Sequence, residues 1–204
     1  MENDLKIYRT YVEPTSVYEE YNVRYIEGRN FIKNLKKEIS YGDTFLKISE
    51  MLGDHSHCVS KKVGAILVKD NRILTTGING TPINTKNCDD LFSLTEPDVD
   101  SSLIKYDPIS HHTWSINNEI HAEVNCIAMA AREGISVKGT TLYCNYWPCI
   151  NCAKLIAACS IKSIVFRYEY LNDFRGMVLL IKSGIECYRI SDTELTTEIR
   201  KMAL

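Results

Sequence analysis

The sequence has no apolar run long enough to cross a bilayer, which takes roughly 20 residues. Its opening, Met1-Glu2-Asn3-Asp4, is acidic and polar, so neither a leader nor a membrane partner is expected. Charge of one sign is also lacking. Lys and Arg total 24 against 26 Asp and Glu, giving a net charge of −2 and a pI near 6.2. Binding to a polynucleotide usually needs a broad basic footprint. A small substrate is therefore favoured and no nucleic-acid partner is expected. Eight cysteines in 204 residues are too few for a disulfide scaffold, which points to a cytoplasmic location.

What the chain does have is concentrated in His121-Ala122-Glu123 and Pro148-Cys149-Ile150-Asn151-Cys152. Two thiolates spaced C-x-x-C can share one metal, because a tight turn brings both sulfurs to the same side. His121 supplies a third ligand. Three protein ligands leave a fourth tetrahedral position open, and that separates catalytic from structural zinc. Water at such a position ionises near neutrality. Glu123 lies two residues from His121, close enough to act as the acid and base. Taken alone, His-Ala-Glu would be a core-edge accident, and C-x-x-C a redox pair or half a structural zinc knuckle. A structural zinc needs a fourth ligand, and no second pair lies nearby. H-x-E followed by P-C-x-x-C is the signature of the zinc-dependent nucleobase deaminases.

The periodicities give an α/β protein. Residues 1–42 hold six of the twelve tyrosines (Tyr8, Tyr11, Tyr18, Tyr21, Tyr25 and Tyr41). They read as an ordered N-terminal arm packed on the core or on a neighbouring subunit, ahead of a deaminase domain over 43–204. Asp43–Leu52 is expected as a helix with Asp43 as its N-cap. Strands are expected at Val63–Val68 and Ile73–Gly77, joined through Asp70-Asn71. Residues 83–117 show no clean period and read as a long functional or mobile loop. A helix over Glu119–Arg132 follows, then a strand, Gly139–Asn145, that delivers Tyr146 and Trp147 to the site mouth. Next come a helix after Pro148, a strand at Lys162–Phe166, a helix at Asp173–Ser183, a strand at Ile185–Tyr188 and a charged helix from Asp192. This alternation implies a three-layer α/β/α sandwich around a mixed five-stranded sheet. Zinc would sit between two helix N-termini.

The chain resembles the deoxycytidylate (dCMP) deaminases of the cytidine deaminase-like superfamily, those of bacteriophages above all. Val63-Gly64-Ala65-Ile66-Leu67-Val68, Gly77-Ile78-Asn79-Gly80-Thr81-Pro82, Asn118-Glu119-Ile120-His121-Ala122-Glu123 and Pro148–Cys152 carry the likeness over roughly residues 44–190. It implies hydrolysis of dCMP to dUMP and ammonia, feeding thymidylate synthesis. Alternatives are a related nucleotide (dCTP or a C5-modified dCMP) or, less favoured, cytosine or adenosine in a polynucleotide. It implies Glu123 as the proton carrier and His121, Cys149 and Cys152 as zinc ligands. Substrate contacts are implied for Asn79, Ala122, Trp147 and Tyr170, with Tyr168 as the other register. A basic residue before the Val-Gly-Ala strand would meet the phosphate, either Lys61 or Lys62. Arg132 and Arg167 are further phosphate or effector candidates. A second, structural zinc is implied at Cys58, His111 and Glu119, with His57 adjacent. The resemblance also implies dCTP and dTTP effectors with Mg2+, a homo-oligomer, commonly a hexamer, and the cytoplasm of a host cell for a phage-encoded chain.

Two stretches depart from the pattern. The loop Thr81–Asp90 has lost the usual glycines, which sets the effector regulation in question. Tyr143-Cys144-Asn145-Tyr146-Trp147 replaces the commoner Tyr-Val-Thr before Pro-Cys. Asn145 would either grip the nucleotide in place of the missing hydroxyl or mark an altered substrate.

Overall fold

The computed structural model describes residues 24–27, 41–95, 101–168 and 175–191. Its centre is a mixed sheet of six strands in the order β1-β8-β7-β6-β2-β3. These are β1 (Arg24–Glu27), β2 (Gly64–Lys69), β3 (Arg72–Ile78), β6 (Thr141–Tyr146), β7 (Ser163–Tyr168) and β8 (Glu186–Ser191). β1, β8, β7 and β6 run parallel, while β2 is antiparallel to both β6 and β3. The five strands expected from the sequence all form. Arg24–Glu27 adds a sixth by pairing along β8.

β2 and β3 are joined through Asp70 and Asn71, both at positive φ (49° and 58°). That is the backbone of a two-residue hairpin, whose twist matches the strands it connects. Side chains of β2, β6, β7 and β8 then alternate between two apolar layers. Ala65, Leu67, Leu142, Cys144, Ile164 and Phe166 face one side. Ile66, Val68, Tyr143, Val165 and Tyr188 face the other.

Helix α1 (Gly42–Gly53) covers the second layer with Phe45 and Leu46. It starts two residues earlier than an Asp43 cap would give. Tyr41 is its N-cap, and Asp43 lies in the first turn, paired with Lys47 at 2.8 Å. Helices α3 (Ala122–Arg132), α4 (Ile150–Ala158) and α5 (Arg175–Lys182) cover the first layer through Ala122, Cys126, Cys152, Ile156, Met177 and Leu180. The three-layer arrangement is therefore present. The helix expected from Asp192 lies outside the described residues, as does most of the 1–42 arm.

Residues 83–117 are not one irregular loop. They contain a small parallel pair, β4 (Phe92–Ser93) and β5 (Ile104–Lys105), and a helix, α2 (Pro108–Asn118). Asp107 caps α2 by accepting from Ser110 N–H at 2.8 Å, and Pro108 occupies the first turn, which tolerates its missing N–H. The expected Glu119–Arg132 helix is split accordingly. Glu119 ends α2, Ile120 bridges to Gly80, and α3 begins only at Ala122.

Candidate active site

His121 is the N-cap of α3 and Cys149 the N-cap of α4. Neither side chain caps its own helix. They turn toward each other instead, across the ends of β3 and β6. Two glycines allow the helices to sit there. A Cβ on Gly77 would come within 2.5 Å of Cys126 N, and it would also strike Ala122 O. The bare Gly77 therefore seats the first turn of α3 on β3. A Cβ on Gly176 would meet Pro148 O and come within 2.9 Å of Cys149 C, so α5 packs directly on the ligand-bearing turn.

His121 Nδ1 lies 3.5 Å from Cys149 Sγ and 3.4 Å from Cys152 Sγ. All three donor atoms fall within 4.8 Å of one another. A tetrahedral zinc with ordinary Zn–S and Zn–N bonds would separate nitrogen from sulfur by about 3.6 Å. The donors therefore fit zinc in both kind and spacing. Their electrostatics point the same way. Hydrogen bonding from Cys152 and His121 pulls the Cys149 thiol down to about 4, despite burial. The Cys149 thiolate in turn holds His121 up at about 9. Cys152 is driven far upward by Cys149 and by burial. A cation among the three is what lets both sulfurs ionise and the imidazole stay neutral.

Glu123 lies in the first turn of α3 and is 3% exposed. Burial raises its carboxyl to about 6, and the neighbouring His121 only partly offsets this. A carboxyl so tuned can both accept and release a proton near neutrality.

A second cluster forms from Cys58, Cys88, His111 and Glu119, whose donor atoms also lie within 4.8 Å of one another. His111 Nε2 is 3.2 Å from Cys88 Sγ and 3.6 Å from Cys58 Sγ. Phe92, Tyr106 and Trp114 pack around its ring. Glu119 Oε2 accepts from Ser115 Oγ at 2.6 Å, while its Oε1 is buried with no partner. Two sulfurs, an imidazole and an unmatched carboxylate oxygen make a closed four-donor set of the structural zinc type.

The resemblance implies three of these four donors, and Cys88 is the fourth. The fourth is not His57, which points outward and pairs with Asp89 at 2.8 Å. The only available signal for Cys88 was a lone cysteine in a loop whose separations from Cys58 and His111 match no short motif.

Several other expected contacts are placed differently. The amide of Asn79 is engaged by backbone: Oδ1 accepts from Val63 N–H (2.8 Å) and Nδ2 donates to Lys61 O (2.9 Å). Asn145 repeats this one residue along, accepting from Gly64 N–H (3.1 Å) and donating to Lys62 O (2.9 Å). Together the two amides clamp residues 61–64 from either side, extending the hold on β2 beyond its ladder. Asn145 thus holds the chain at the start of β2 through backbone.

Trp147 is buried rather than at a mouth. Its ring packs edge-on against Phe166, and its backbone N–H donates to Tyr168 O at 3.1 Å. Ala122 is fully buried in the first turn of α3. Tyr170 lies outside the described residues. Arg167 points to the α1 face, buried against Glu50 (2.6 Å) and Asp43 (3.2 Å), away from the zinc ligands. Arg132 sits at the far end of α3, about 16 Å from His121 along the axis, paired with Glu133 at 2.9 Å.

Known proteins agree with this geometry. The family described as the cytidine and deoxycytidylate deaminase zinc-binding region matches residues 40–168. The deoxycytidylate deaminase of Enterobacteria phage T4 is 35% identical over 178 residues, 74% of this chain and 91% of its own. That of Saccharomyces cerevisiae is 30% identical over 155 residues, 76% of this chain and 46% of its own. The crystal structure of the cyanophage S-TIM5 dCMP deaminase with dCMP and dUMP superposes with a TM-score of 0.58 at 31% identity, covering 76% of this chain and 98% of the other. With its zinc-type donor triad and buried carboxyl, the chain belongs to the cytidine and deoxycytidylate deaminase zinc-binding family.

Proposed function

We propose that this chain hydrolyses dCMP to dUMP and ammonia, supplying dUMP for thymidylate synthesis. The observation that carries the reading is the buried Glu123 carboxyl beside three zinc-type donors, in a chain similar to enzymes named for this substrate. His121, Cys149 and Cys152 would hold a zinc ion, which would supply Lewis acidity for activating water near neutrality. The remaining chemistry belongs to the protein. Glu123 takes a proton from the attacking water, delivers it to N3 of the cytosine, and passes a second one to the amino group that leaves C4. The helix N-termini of α3 and α4 aim N–H groups and positive partial charge at the same place. The low-dielectric surroundings that raise the Glu123 carboxyl keep bulk water from competing for its proton.

Cys58, Cys88, His111 and Glu119 would hold a second zinc that ties the 83–118 region to the segment just before β2. Its role is structural, because all four positions are filled by protein donors. A cytoplasmic homo-oligomer, commonly a hexamer, and regulation by dCTP and dTTP with Mg2+ belong to the same reading through the resemblance alone.

The test is dCMP turnover by the wild type and by Glu123→Gln, with zinc measured on both. Loss of turnover by at least about a thousandfold with zinc retained fits the acid–base role. A zinc-loaded wild type that leaves dCMP untouched would overturn the assignment.

A further inference from the structure

The two donor clusters are joined by more than the chain between them. Glu119 and His121 stand at the ends of a three-residue crossing from α2 to α3. Glu119 closes α2 with φ −96° and ψ 137°, and His121 caps α3 with φ −69° and ψ 152°. Both are extended, so their side chains leave the same side of the crossing, with Cα atoms about 7 Å apart. One belongs to the four-donor set and the other to the triad. Ile120, between them, is fastened through both of its backbone groups. Its N–H donates to Gly80 O at 2.8 Å, and its carbonyl accepts from Gly80 N–H at 3.1 Å.

The chain behind Gly80 leads back to the four-donor set. Ser56 Oγ donates to Asn79 O at 2.8 Å, and the same oxygen accepts from Cys58 N–H at 3.2 Å. Ser56 is 3% exposed, so its one donor and an acceptor position are spent inside the protein. A closed circuit results. It runs from Cys58 through Ser56, Asn79, Gly80 and Ile120, and reaches Glu119 on one side and His121 on the other. The two sets it joins are unequally equipped. Four protein donors close the first, whereas the triad offers three and depends on their being in place when the metal arrives. Cys149 and Cys152 share one turn, against which α5 packs through Gly176. His121 comes from a different element, and the crossing fixes the chain on which it stands.

Resting on the two-zinc reading, we propose that the clusters are thermodynamically coupled. Filling Cys58, Cys88, His111 and Glu119 raises the affinity of His121, Cys149 and Cys152 for zinc. Ser56 is the positioning residue that carries this coupling across Asn79 and Gly80 to Ile120. A filled four-donor set holds Cys58 and Glu119, the two ends of the circuit, at a fixed separation, so His121 has less freedom to lose on binding. The effect is reciprocal, as any linkage of two binding equilibria must be.

The experiment measures zinc affinity on the full chain by competition with a chromophoric chelator, with zinc per chain counted alongside and no nucleotide present. The proteins are the wild type, Cys88→Ala, Ser56→Ala, the two changes together, Ser56→Thr, His121→Ala and Asp43→Asn. The binding step lost in Cys88→Ala identifies the four-donor set. The triad that remains should hold zinc about ten- to a hundredfold more weakly than in the wild type. Ser56→Ala should still bind two zincs but weaken the triad by about tenfold, and Ser56→Thr, which keeps the hydroxyl, should restore most of that loss. The double variant should be no weaker at the triad than Cys88→Ala, since both changes open one circuit. By reciprocity, His121→Ala should weaken the four-donor set by the factor that Cys88→Ala imposes on the triad. Asp43→Asn loosens the fold on the far face of the sheet and should leave both affinities at wild type, which separates coupling from lost stability. Should Ser56→Ala fold poorly, Ser56→Gly takes its place. A triad affinity unchanged in Cys88→Ala, or losses that add in the double variant, would overturn the proposal and leave both zincs standing. A wild type that binds one zinc would overturn the two-zinc reading and the coupling with it. Neither result depends on dCMP, so the assigned activity stands or falls separately.

Discussion

Gly77→Ala places one methyl group at the joint between β3 and α3, and its cost can be worked from the contacts. The new Cβ would stand 2.5 Å from Cys126 N and 3.0 Å from Cys126 Cα, and would also strike Ala122 O. Ordinary non-bonded contact between such atoms is about 3.5 Å, so relief requires the first turn of α3 to move by roughly 1 Å. All the obstructing atoms are backbone, so no side chain can swing aside. The turn that moves carries Glu123 and is capped by His121. A displacement near 1 Å at reacting groups costs about a hundredfold in rate, while overpacking costs about 1–3 kcal/mol of stability. We expect Gly77→Ala to lower kcat by about two orders of magnitude, with a reduced urea midpoint. Gly80→Ala is the control, because a Cβ there meets nothing within 4 Å, and its midpoint should match wild type. A Gly77→Ala enzyme with kcat within twofold of wild type would refute the claim that this glycine seats the helix.

Cys88→Ala should reduce metal content from about two zinc equivalents per chain to about one and lower the thermal midpoint, whereas His57→Ala should leave both unchanged; retention of two zincs by Cys88→Ala would remove Cys88 from the set. Asp43 tests the opposite face of the sheet. Burial works to raise its pKa, but hydrogen bonds from Lys47 and Arg167 outweigh that and hold it below the ordinary 3.8. A depressed carboxyl stabilises the fold above its unfolded value and loses that contribution as pH falls through the folded one. Asp43→Asn should therefore cost about 1 kcal/mol at neutral pH, a figure discounted for the partly exposed carboxylate. The difference from wild type should shrink as urea unfolding is repeated below pH 4, and a gap that stays constant into acid would contradict the ion-pair account.

The parts of the fold that read correctly from sequence are those whose period matches their burial. β2, β6 and β7 are short β-branched and apolar runs buried on both faces, and α4 follows Pro148 as its sequence requires. Helix α2 was illegible because its pattern is inverted. Ile109 and Ile116 are exposed, at 78% and 66%, while the buried position is His111. A helix that turns a metal-type donor inward cannot show an amphipathic stripe. β1 pairs with β8 across most of the chain, so no local signal foretells it. The catalytic donors were legible because each half of the pattern, His121 with Glu123 and Cys149 with Cys152, is spaced within one turn. Cys88 was not, since loops of unequal length bring it to Cys58 and His111. The roles of Asn79 and Asn145 were hidden for another reason. A clamp on backbone leaves no trace in residue type, and an asparagine that binds substrate looks the same in sequence.

The donors of the two clusters are segregated along the chain. Cys58, Cys88, His111 and Glu119 are all in place by residue 119, thirty residues before Cys149. The four-donor corner is thus drawn entirely from chain that precedes both thiols of the triad. Glu119 then holds the chain two residues short of His121, and Ile120 fastens to Gly80. The imidazole that Cys149 and Cys152 meet is thus tied to residues that all precede them in the chain.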